Sequence, residues 1–417
     1  EKAIPFDFII SNQLIRTTLK KFIITNKIIT EDVIEIEYMP ITSFSNESES
    51  NECPSWVGAL KSLSNNNHLI AGCYNGQLRS INSNNLTDIT TIQAHDLPIR
   101  TITSWVHDSK NIIATGSKDN TVKCWLVNPN GQFTCVASLE SAVSSIENLE
   151  SFGNSTIISG DWSGNLFAYD LSKLQLNTET SIPEKVSNKK RKKNTHDEIE
   201  SISNPVLTAS TIPHIFTIHA HAQTISGLQV CSISNRLFTS SWDHSIKQWD
   251  LERQECVHTI AGTKVSTSLN LNSKQNLIAT SHSDGRIRLW DSRSREGAVS
   301  VATLNRAQVT HWISQVKWFD EGSYVLCTSD YNGSITAWDT RSTSVPLSIK
   351  EVHDGKGLCL EWKYGSSNID NDNNNSGNSN GSGSNSNDIS TNLESGRTLF
   401  SGGSDCCVKS TNLLHSV

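Results

Sequence analysis

Two stretches of the chain carry the residue types of a hydrolase triad, each with a histidine followed by a serine and an aspartate. The first set comprises His95, Ser117, Asp119 and Trp125, and the second comprises His221, Ser241, Asp243 and Trp249. A Ser-His-Asp triad performs acyl transfer only with an exposed nucleophile, an oxyanion hole and a substrate cleft. Because the set occurs twice, it argues against one active site, and we expect a non-enzymatic protein.

Other patterns that would hold a cofactor or a metal are missing from the sequence. No GxxxxGK[ST] occurs and no GxGxxG opens a helix, so nucleotide binding is not expected. The ten cysteines include no CxxC pair, which argues against structural zinc. Five cysteines within predicted strands are interpreted as small buried apolar residues of an intracellular protein, namely Cys73, Cys124, Cys231, Cys327 and Cys359. We therefore expect no cofactor and no metal site of the chain's own.

Composition narrows the class of protein further. The 417 residues carry a net charge of −7, which argues against a surface that binds nucleic acid all over. No run of about 18 apolar residues exists, so the sequence indicates no membrane span. The first residue is Glu1 and the one methionine is Met39, which predicts that the natural start lies upstream.

A repeat organises the chain. Its clearest copy is Leu237-Phe-Thr-Ser-Ser-Trp-Asp-His-Ser-Ile-Lys-Gln-Trp-Asp250, in which a strand of small residues enters a tight turn and a second strand leaves toward Trp. Seven copies have turn positions at Asn75, Asp119, Ser163, Asp243, Asp284, Asn332 and Asp405. Four of the intervals between them fit one blade each. The two long intervals, which follow Ser163 and Asn332, each contain a stretch of low complexity.

These copies resemble the WD-repeat β-propeller, whose four-stranded blades recur about every 40 to 45 residues. We therefore expect an all-β fold with a seven-bladed propeller over residues 53–417, with insertions at about 173–204 and 365–392 that are predicted to be disordered. The resemblance also implies that each His, Ser, Asp and Trp set forms a buried hydrogen-bond network within one blade. Such a network satisfies polar groups that would each cost about 1–3 kcal/mol if they were buried unpaired.

Residues 1–40 lack the WD pattern. A strand at Phe6–Ile10, a turn, a short helical turn at Thr18–Phe22 and a strand at Asp32–Tyr38 are predicted from the apolar spacing. This order resembles the second half of a ubiquitin-like β-grasp domain. Residues 41–52 are rich in Ser, Asn and Glu and are predicted to be a linker.

Both parts together resemble a family, the WD-repeat ribosome-biogenesis subunit of the PeBoW complex. The resemblance implies a scaffold for assembly of the large (60S) ribosomal subunit and for pre-rRNA processing, in the nucleus, nucleolus and nucleoplasm. Implied partners are the block-of-proliferation WD protein, pescadillo, the pre-60S particle and the midasin AAA ATPase, the last through the ubiquitin-like domain. Alternatives are a Notchless-like factor with eight blades, a substrate receptor of a ubiquitin ligase and a direct rRNA-binding protein.

Binding residues are predicted from the repeat and from the resemblance. The residue before each turn position is expected on one face, and four of the seven are aromatic: Tyr74, Trp162, Trp242 and Tyr331. Tyr and Trp are enriched at binding hot spots, so these four are predicted to dock a protein, unless each ring merely covers its own turn. The resemblance further implies that Glu31 supplies an oxygen ligand to a Mg²⁺ ion carried by midasin, with Asp32 beside it as the residue one position away in register. The alternative is that Glu31 is a solvated turn residue.

Five consecutive cations, Lys189, Lys190, Arg191, Lys192 and Lys193, lie in the first insertion. The run favours a nuclear-import signal, while a solvated charge run and an rRNA-contacting patch remain open.

Replacing all five cations with serine tests the import hypothesis. Because an import receptor binds consecutive cationic side chains, a fluorescent fusion of the variant is expected to shift toward the cytoplasm. The measurement is the nuclear to cytoplasmic fluorescence ratio. An unchanged ratio would reject the import signal.

Overall fold

The computed structural model describes residues 6–172, 210–363 and 397–415, except 12, 16, 29–32, 47, 65–66, 141–142, 154, 294–299, 306–310, 321 and 344. Glu31, the cations at 189–193 and both predicted insertions, 173–204 and 365–392, lie outside the described residues. Within the described part no helix is long and apolar enough to cross a membrane.

A small three-stranded sheet and one helix form the N-terminal part. The sheet has the order β2-β1-β3 and its elements are β1 (Phe6–Ile10), β2 (Gln13–Leu14), α1 (Leu19–Asn26) and β3 (Glu37–Pro40). The strand β1 matches its prediction, whereas the helix is longer than expected and β3 begins at Glu37 rather than at the predicted Asp32. A ubiquitin-like domain stays a prediction.

Seven antiparallel sheets make up the rest of the described chain, one for each copy of the repeat. Their strands, from first to last in each sheet, are as follows. Blade one comprises β6 (Val57–Ser62), β7 (His68–Cys73), β8 (Gln77–Asn82) and β9 (Asp88–Gln93). Blade two comprises β10 (Ile99–His107), β11 (Lys110–Ser117), β12 (Thr121–Val127) and β13 (Phe133–Glu140). Blade three comprises β14 (Ile146–Phe152), β15 (Thr156–Asp161), β16 (Asn165–Asp170) and β18 (His214–His219). A short strand, β17 (Ser210–Thr211), adds to the second blade by parallel pairing with β13.

The remaining blades have the same order. Blade four comprises β19 (Ile225–Cys231), β20 (Arg236–Ser241), β21 (Ser245–Asp250) and β22 (Glu255–Ala261). Blade five comprises β23 (Ser266–Asn272), β24 (Leu277–His282), β25 (Arg286–Asp291) and β26 (Ala302–Asn305). Blade six comprises β27 (Ile313–Trp318), β28 (Val325–Asp330), β29 (Ser334–Asp339) and β30 (Ser348–Glu351). Blade seven comprises β31 (Gly357–Trp362), β32 (Arg397–Gly403), β33 (Cys407–His415) and β4 (Thr42–Phe44). The seven-bladed, all-β prediction is confirmed.

The turn between the second and third strands requires a special backbone in several blades. Gly76 has φ +81°, and a Cβ there would collide with the carbonyl oxygen of His95. Only glycine tolerates both the left-handed backbone and this approach. The glycine therefore lets the loop before blade two rest directly on the turn of blade one.

The first strand of each blade is the innermost, and these seven strands form a closed ring in which each contacts both neighbours, including β31 with β6. Apolar residues fill the space between adjacent sheets. One such cluster joins Val57, Leu69, Phe400 and Val408 across the contact between blades one and seven. The burial of these faces supplies the hydrophobic stabilisation of the ring.

The ring is closed by chain segments from opposite ends of the sequence. Strand β33 pairs with β4, with Leu413 opposite Phe44, and also with β5 (Ser50–Glu52), with Cys407 opposite Glu52. The segment 41–52, predicted to be a linker, thus supplies two strands of blade seven. Periodicity missed them because such short strands do not show alternation.

The N-terminal sheet packs against blades six and seven. Ile9 and Leu14 belong to the same apolar cluster as Val325 and Leu413, and the Leu14 amide donates to the Ser342 hydroxyl at 3.4 Å. These contacts attach the N-terminal sheet to one side of the propeller.

Candidate functional site

The histidine networks of blades two and four have the same geometry. In blade two, the Nδ1 atom of His95 lies 2.8 Å from Asp119 Oδ2, and its Nε2 lies 2.8 Å from the hydroxyl oxygen of Thr115. The same Thr115 oxygen accepts a hydrogen bond from the Trp125 indole at 2.9 Å. His221, Asp243, Thr239 and Trp249 repeat these contacts in blade four at 2.9, 2.7 and 2.9 Å.

The serines Ser117 and Ser241 have another role than the one expected. Ser117 donates to the Leu97 carbonyl and accepts from the Asp119 amide, each at 3.1 Å, and Ser241 repeats this pattern. The hydroxyl that joins histidine to tryptophan belongs to Thr115, two residues earlier. Thr115 lies on the side of β11 that faces the ring of Trp125, which the spacing of the Ser and Asp residues did not indicate.

Burial and hydrogen bonding give these networks a structural role. His95 is only 1% exposed. Burial favours protonation of Asp119, but hydrogen bonds from His95 and Thr121 outweigh it and hold the pKa of Asp119 well below its usual range. In both blades, the buried hydrogen-bond network connects the loop before the blade to the turn between its second and third strands.

Blades five and seven keep parts of the network. In blade seven, His353 binds Asp405 at 2.9 Å and the Ser401 hydroxyl at 2.8 Å, while Thr411 stands where tryptophan is found elsewhere. In blade five, His282 lies within the strand, and burial lowers its pKa to about 4.

One end of the propeller carries the residues predicted to bind a protein; we call it the turn face. It holds the turns between second and third strands and the starts of the seven innermost strands. In every blade the residue before the turn donates its backbone N–H to the residue before the innermost strand. The seven bonds run from Tyr74, Lys118, Trp162, Trp242, Ser283, Tyr331 and Ser404 to Trp56, Pro98, Ser145, Thr224, Val265, Trp312 and Lys356, with lengths of 2.8–3.2 Å.

An aromatic arc on the turn face joins residues of blades three, four and six. Ring centroids are 5.2 Å apart for Trp162 and Trp242, 6.5 Å for Trp242 and Trp312, and 5.9 Å for Trp312 and Tyr331. Trp162 is 48% exposed and Trp312 39%. The structure therefore brings three of the four predicted aromatic residues together and adds Trp312. Sequence reasoning missed Trp312 because it lies in the loop before the strand, outside the repeated pattern.

The fourth predicted residue, Tyr74, makes no ring contact with the arc among the described residues. Its ring packs 5.5 Å from Trp56, and its hydroxyl accepts a hydrogen bond from Arg100, whose guanidinium also binds Glu147 at 2.8 Å. On the other side of the arc, the Lys356 ammonium lies 4.8 Å from the Tyr331 ring centroid. Lys356 thus flanks the Tyr331 end of the arc, whereas Arg100 stacks on Tyr74 and is paired with Glu147.

The turn face opens into a central cavity of about 240 Å³. The fifth residue of every innermost strand lines it and forms a belt of seven polar side chains. The belt comprises Lys61, Thr103, Glu150, Gln229, Asn270, Lys317 and Glu361. Because β-strand side chains alternate, this position in each blade points to the axis of the ring.

The two glutamates of the belt have different electrostatic surroundings. Glu361 lies between two cations, 3.4 Å from the Lys61 ammonium and 2.9 Å from that of Lys317. Burial opposes ionisation of Glu361, but these lysines outweigh it and lower its pKa. Glu150 accepts a 3.3 Å hydrogen bond from Gln229, and burial raises its pKa to about 7. Among the described residues, no group of three His, Cys, Asp or Glu side chains could hold a metal ion.

The sheets, the closed ring and the histidine networks define a WD-repeat β-propeller protein. In agreement, the family model of the WD domain, G-beta repeat, matches residues 86–125, 213–250 and 254–291. The chain is similar over nearly its whole length to the WDR12 ribosome biogenesis proteins. It is 29% identical to the "Ribosome biogenesis protein WDR12 homolog" of Arabidopsis thaliana, over 88% of this chain and 82% of that protein. Proteins of the same name from Nematostella vectensis and Oryza sativa are 26% and 27% identical over 87% and 88% of this chain, and 84% and 83% of their own lengths.

Glu150→Gln tests the electrostatics of the belt. The folded protein holds a proton on Glu150 up to pH about 7, whereas the unfolded chain releases it near the ordinary value of 4.5. The free energy of unfolding of the wild type therefore falls as the pH rises between these two values. The variant has no such fall at this position, because glutamine stays neutral. We expect the free energy of unfolding of the variant, relative to wild type, to rise by about 1–3 kcal/mol between pH 5 and pH 8.

Urea unfolding at both pH values is the measurement. Glu255→Gln, which changes an exposed carboxylate, is the control and should leave the difference from wild type independent of pH. A Glu150→Gln difference that is equally independent of pH would contradict the assignment.

Proposed function

We propose that this protein is a non-enzymatic assembly factor in the biogenesis of the large (60S) ribosomal subunit, acting in pre-rRNA processing. The observation that carries this proposal is the similarity to WDR12 ribosome biogenesis proteins over 88% of the chain. The buried, repeated histidine networks support a role in binding rather than in catalysis.

The protein acts as a scaffold of the PeBoW complex, with the block-of-proliferation WD protein and pescadillo as partners on the pre-60S particle. Its place of work is the nucleus, with the nucleolus and nucleoplasm. The cations at 189–193 provide nuclear import, and the N-terminal part is the segment through which the midasin ATPase removes the factor. A Notchless-like identity is less favoured because the described chain forms seven sheets around the ring.

The turn face is the docking surface for the propeller's partner, through Trp162, Trp242 and Tyr331, with Tyr74 at the edge. A tryptophan ring that is 48% exposed leaves apolar surface in water, and a partner that covers it gains the corresponding hydrophobic free energy. Neighbouring rings of the arc hold each other in place, so binding requires little further ordering of side chains. Lys356 beside the Tyr331 ring favours a partner surface with an acidic group next to an apolar centre.

Purification of the tagged full-length chain from cells, followed by mass spectrometry, tests both the function and the face. Wild type is expected to enrich pescadillo, the block-of-proliferation protein and large-subunit precursors. Trp162→Ala and Trp242→Ala should each weaken binding of the partner by at least about 2 kcal/mol, roughly 30-fold in Kd, because central tryptophans dominate interface energies. Calorimetry with the purified partner measures this change in affinity.

The control is Tyr324→Ala, which removes an aromatic ring that is 50% exposed at the opposite end of the propeller. It should bind within about 0.5 kcal/mol of wild type. Circular dichroism verifies that each variant is folded. If both tryptophan variants are folded and bind the partner with wild-type affinity, the docking surface lies elsewhere. A purification that contains no ribosomal precursors would reject the assembly function.

Glu31→Ala tests the proposed contact with midasin. Loss of one carboxylate ligand should weaken the Mg²⁺ site shared with the ATPase and stall release of the protein from pre-ribosomes, while the propeller's partner stays bound. The measurement is the amount of the protein on late pre-60S particles in cells that carry only the variant. Asp32→Ala tests the neighbouring carboxylate, and this variant should be released normally if Glu31 is the ligand. Normal release of the Glu31 variant would reject the role of Glu31.

A further inference from the structure

One carboxylate in the central cavity is not neutralised by the chain itself. The charged side chains that line the cavity, among the described residues, are Lys61, Arg100, Glu147, Glu150, Lys317 and Glu361. Glu361 binds both lysine ammoniums, at 3.4 and 2.9 Å, and Arg100 binds Glu147 at 2.8 Å. Glu150 forms no ion pair within the described residues and receives only the hydrogen bond from Gln229.

A chain of hydrogen bonds holds the Glu150 carboxylate in place. The Trp318 backbone N–H donates to Asn270 Oδ1 at 2.9 Å, and Asn270 Nδ2 donates to Gln229 Oε1 at 2.9 Å. Gln229 Nε2 then donates to Glu150 Oε1 at 3.3 Å. Because the first donor is a backbone amide, it fixes the orientation of both side-chain amides. The other oxygen, Glu150 Oε2, has no hydrogen-bond partner in the described part of the chain and stays available to an incoming donor.

The part of the belt around Glu150 carries no other charge. Its neighbours in the ring are Thr103 of blade two and Gln229 of blade four. The ammoniums of Lys61 and Lys317 are held by Glu361 of blade seven, across the ring from blade three. A cation that enters the cavity therefore forms an ion pair with Glu150 without displacing an existing one.

The cavity opens onto the surface that we propose to dock the partner. Trp242, Trp312 and Tyr331 of the aromatic arc line the same cavity as Glu150. At this mouth, the Lys356 ammonium already lies 4.8 Å from the Tyr331 ring centroid. The faces of such rings attract cations, so the mouth favours the entry of a positively charged side chain.

Depth and volume determine what can reach Glu150. Strand β14 begins at Ile146 on the turn face, and Glu150 is four residues further along it. At about 3.3 Å per residue, the carboxylate's backbone lies at most about 13 Å below that end. One water molecule requires about 10–15 Å³, so a cavity of about 240 Å³ has room for a long side chain that extends from a loop of the partner.

We propose that the docked partner inserts a lysine side chain into the central cavity and that its ammonium pairs with Glu150. This inference rests on the proposed docking at the turn face and specifies the chemistry of the partner there. Lysine fits better than arginine, because Gln229 already occupies Glu150 Oε1 and leaves no symmetric pair of acceptors for a guanidinium. The belt contains the same pairing, in which the Lys317 ammonium lies 2.9 Å from Glu361.

The pairing determines the direction of proton exchange on binding. Burial raises the pKa of Glu150 to about 7, while Lys61 and Lys317 lower it and Glu361 raises it. A further ammonium at contact distance favours the carboxylate, so binding near neutral pH releases a proton from Glu150. No histidine is among the described residues that line the cavity. An occupant without positive charge would not release this proton.

Calorimetric titration of the full-length chain with the purified partner with which it copurifies tests the proposal. Wild type should release about half a proton at pH 7, measured from the binding heats in buffers of different ionisation enthalpy, and should bind about tenfold more tightly at pH 8 than at pH 6. Glu150→Gln should raise the Kd at pH 8 at least about 30-fold and abolish both effects, because it removes one member of a buried charge pair. Glu255→Gln, which removes an exposed carboxylate, is the control and should behave as wild type.

Acetylation of the partner's lysines identifies the inserted residue. It should weaken binding to wild type more than binding to Glu150→Gln, because the variant has already lost the ion pair. Equal effects on both would overturn the proposal, as would proton uptake, no proton exchange, or a folded Glu150→Gln variant with the Kd of wild type. If Trp162→Ala loses affinity in the same titrations while Glu150→Gln does not, the docking surface stands and only the insertion of lysine is rejected.

Discussion

The pairing of β33 with β4 and β5 is the interaction on which the rest of the structure depends. Leu413 lies opposite Phe44 and Cys407 opposite Glu52, so the last strand of the described chain is held by residues that precede the first blade. A ring of sheets buries the apolar face of every blade only when it is closed. Without this pairing, Val57 and Phe400 in the contact between blades one and seven would face water.

Closure also places equivalent residues of all blades at equal depth around one axis. The polar belt follows, since the fifth residue of each innermost strand must face the channel whatever its type. Glu361 is held by Lys61 and Lys317 from the two neighbouring blades, so a contact that crosses the closure neutralises part of the belt. The aromatic arc follows in the same way. Trp162, Trp242 and Trp312 come from blades three, four and six, and only the ring brings their side chains together.

The sequence was sufficient to predict the seven blades, because each one repeats a strand, a turn and a strand with fixed residue types. It could not identify Thr115 as the hydroxyl that binds His95, since that depends on which face of β11 meets Trp125. Trp312 was missed because loops before the innermost strands vary in length and type. The closing strands within 41–52 were missed because their pairing partner lies at the opposite end of the sequence, beyond the reach of local patterns.

We propose that closure of the ring creates a docking surface at the turn face. Hydroxyl-radical footprinting can compare the free protein with its complex with the partner that copurifies. Oxidation of Trp162 and Trp312 is expected to fall strongly in the complex. Oxidation of Tyr324, which is exposed at the opposite end, should stay the same. Unchanged oxidation of both tryptophans, together with protection of Tyr324, would place the docking surface at the opposite end of the propeller.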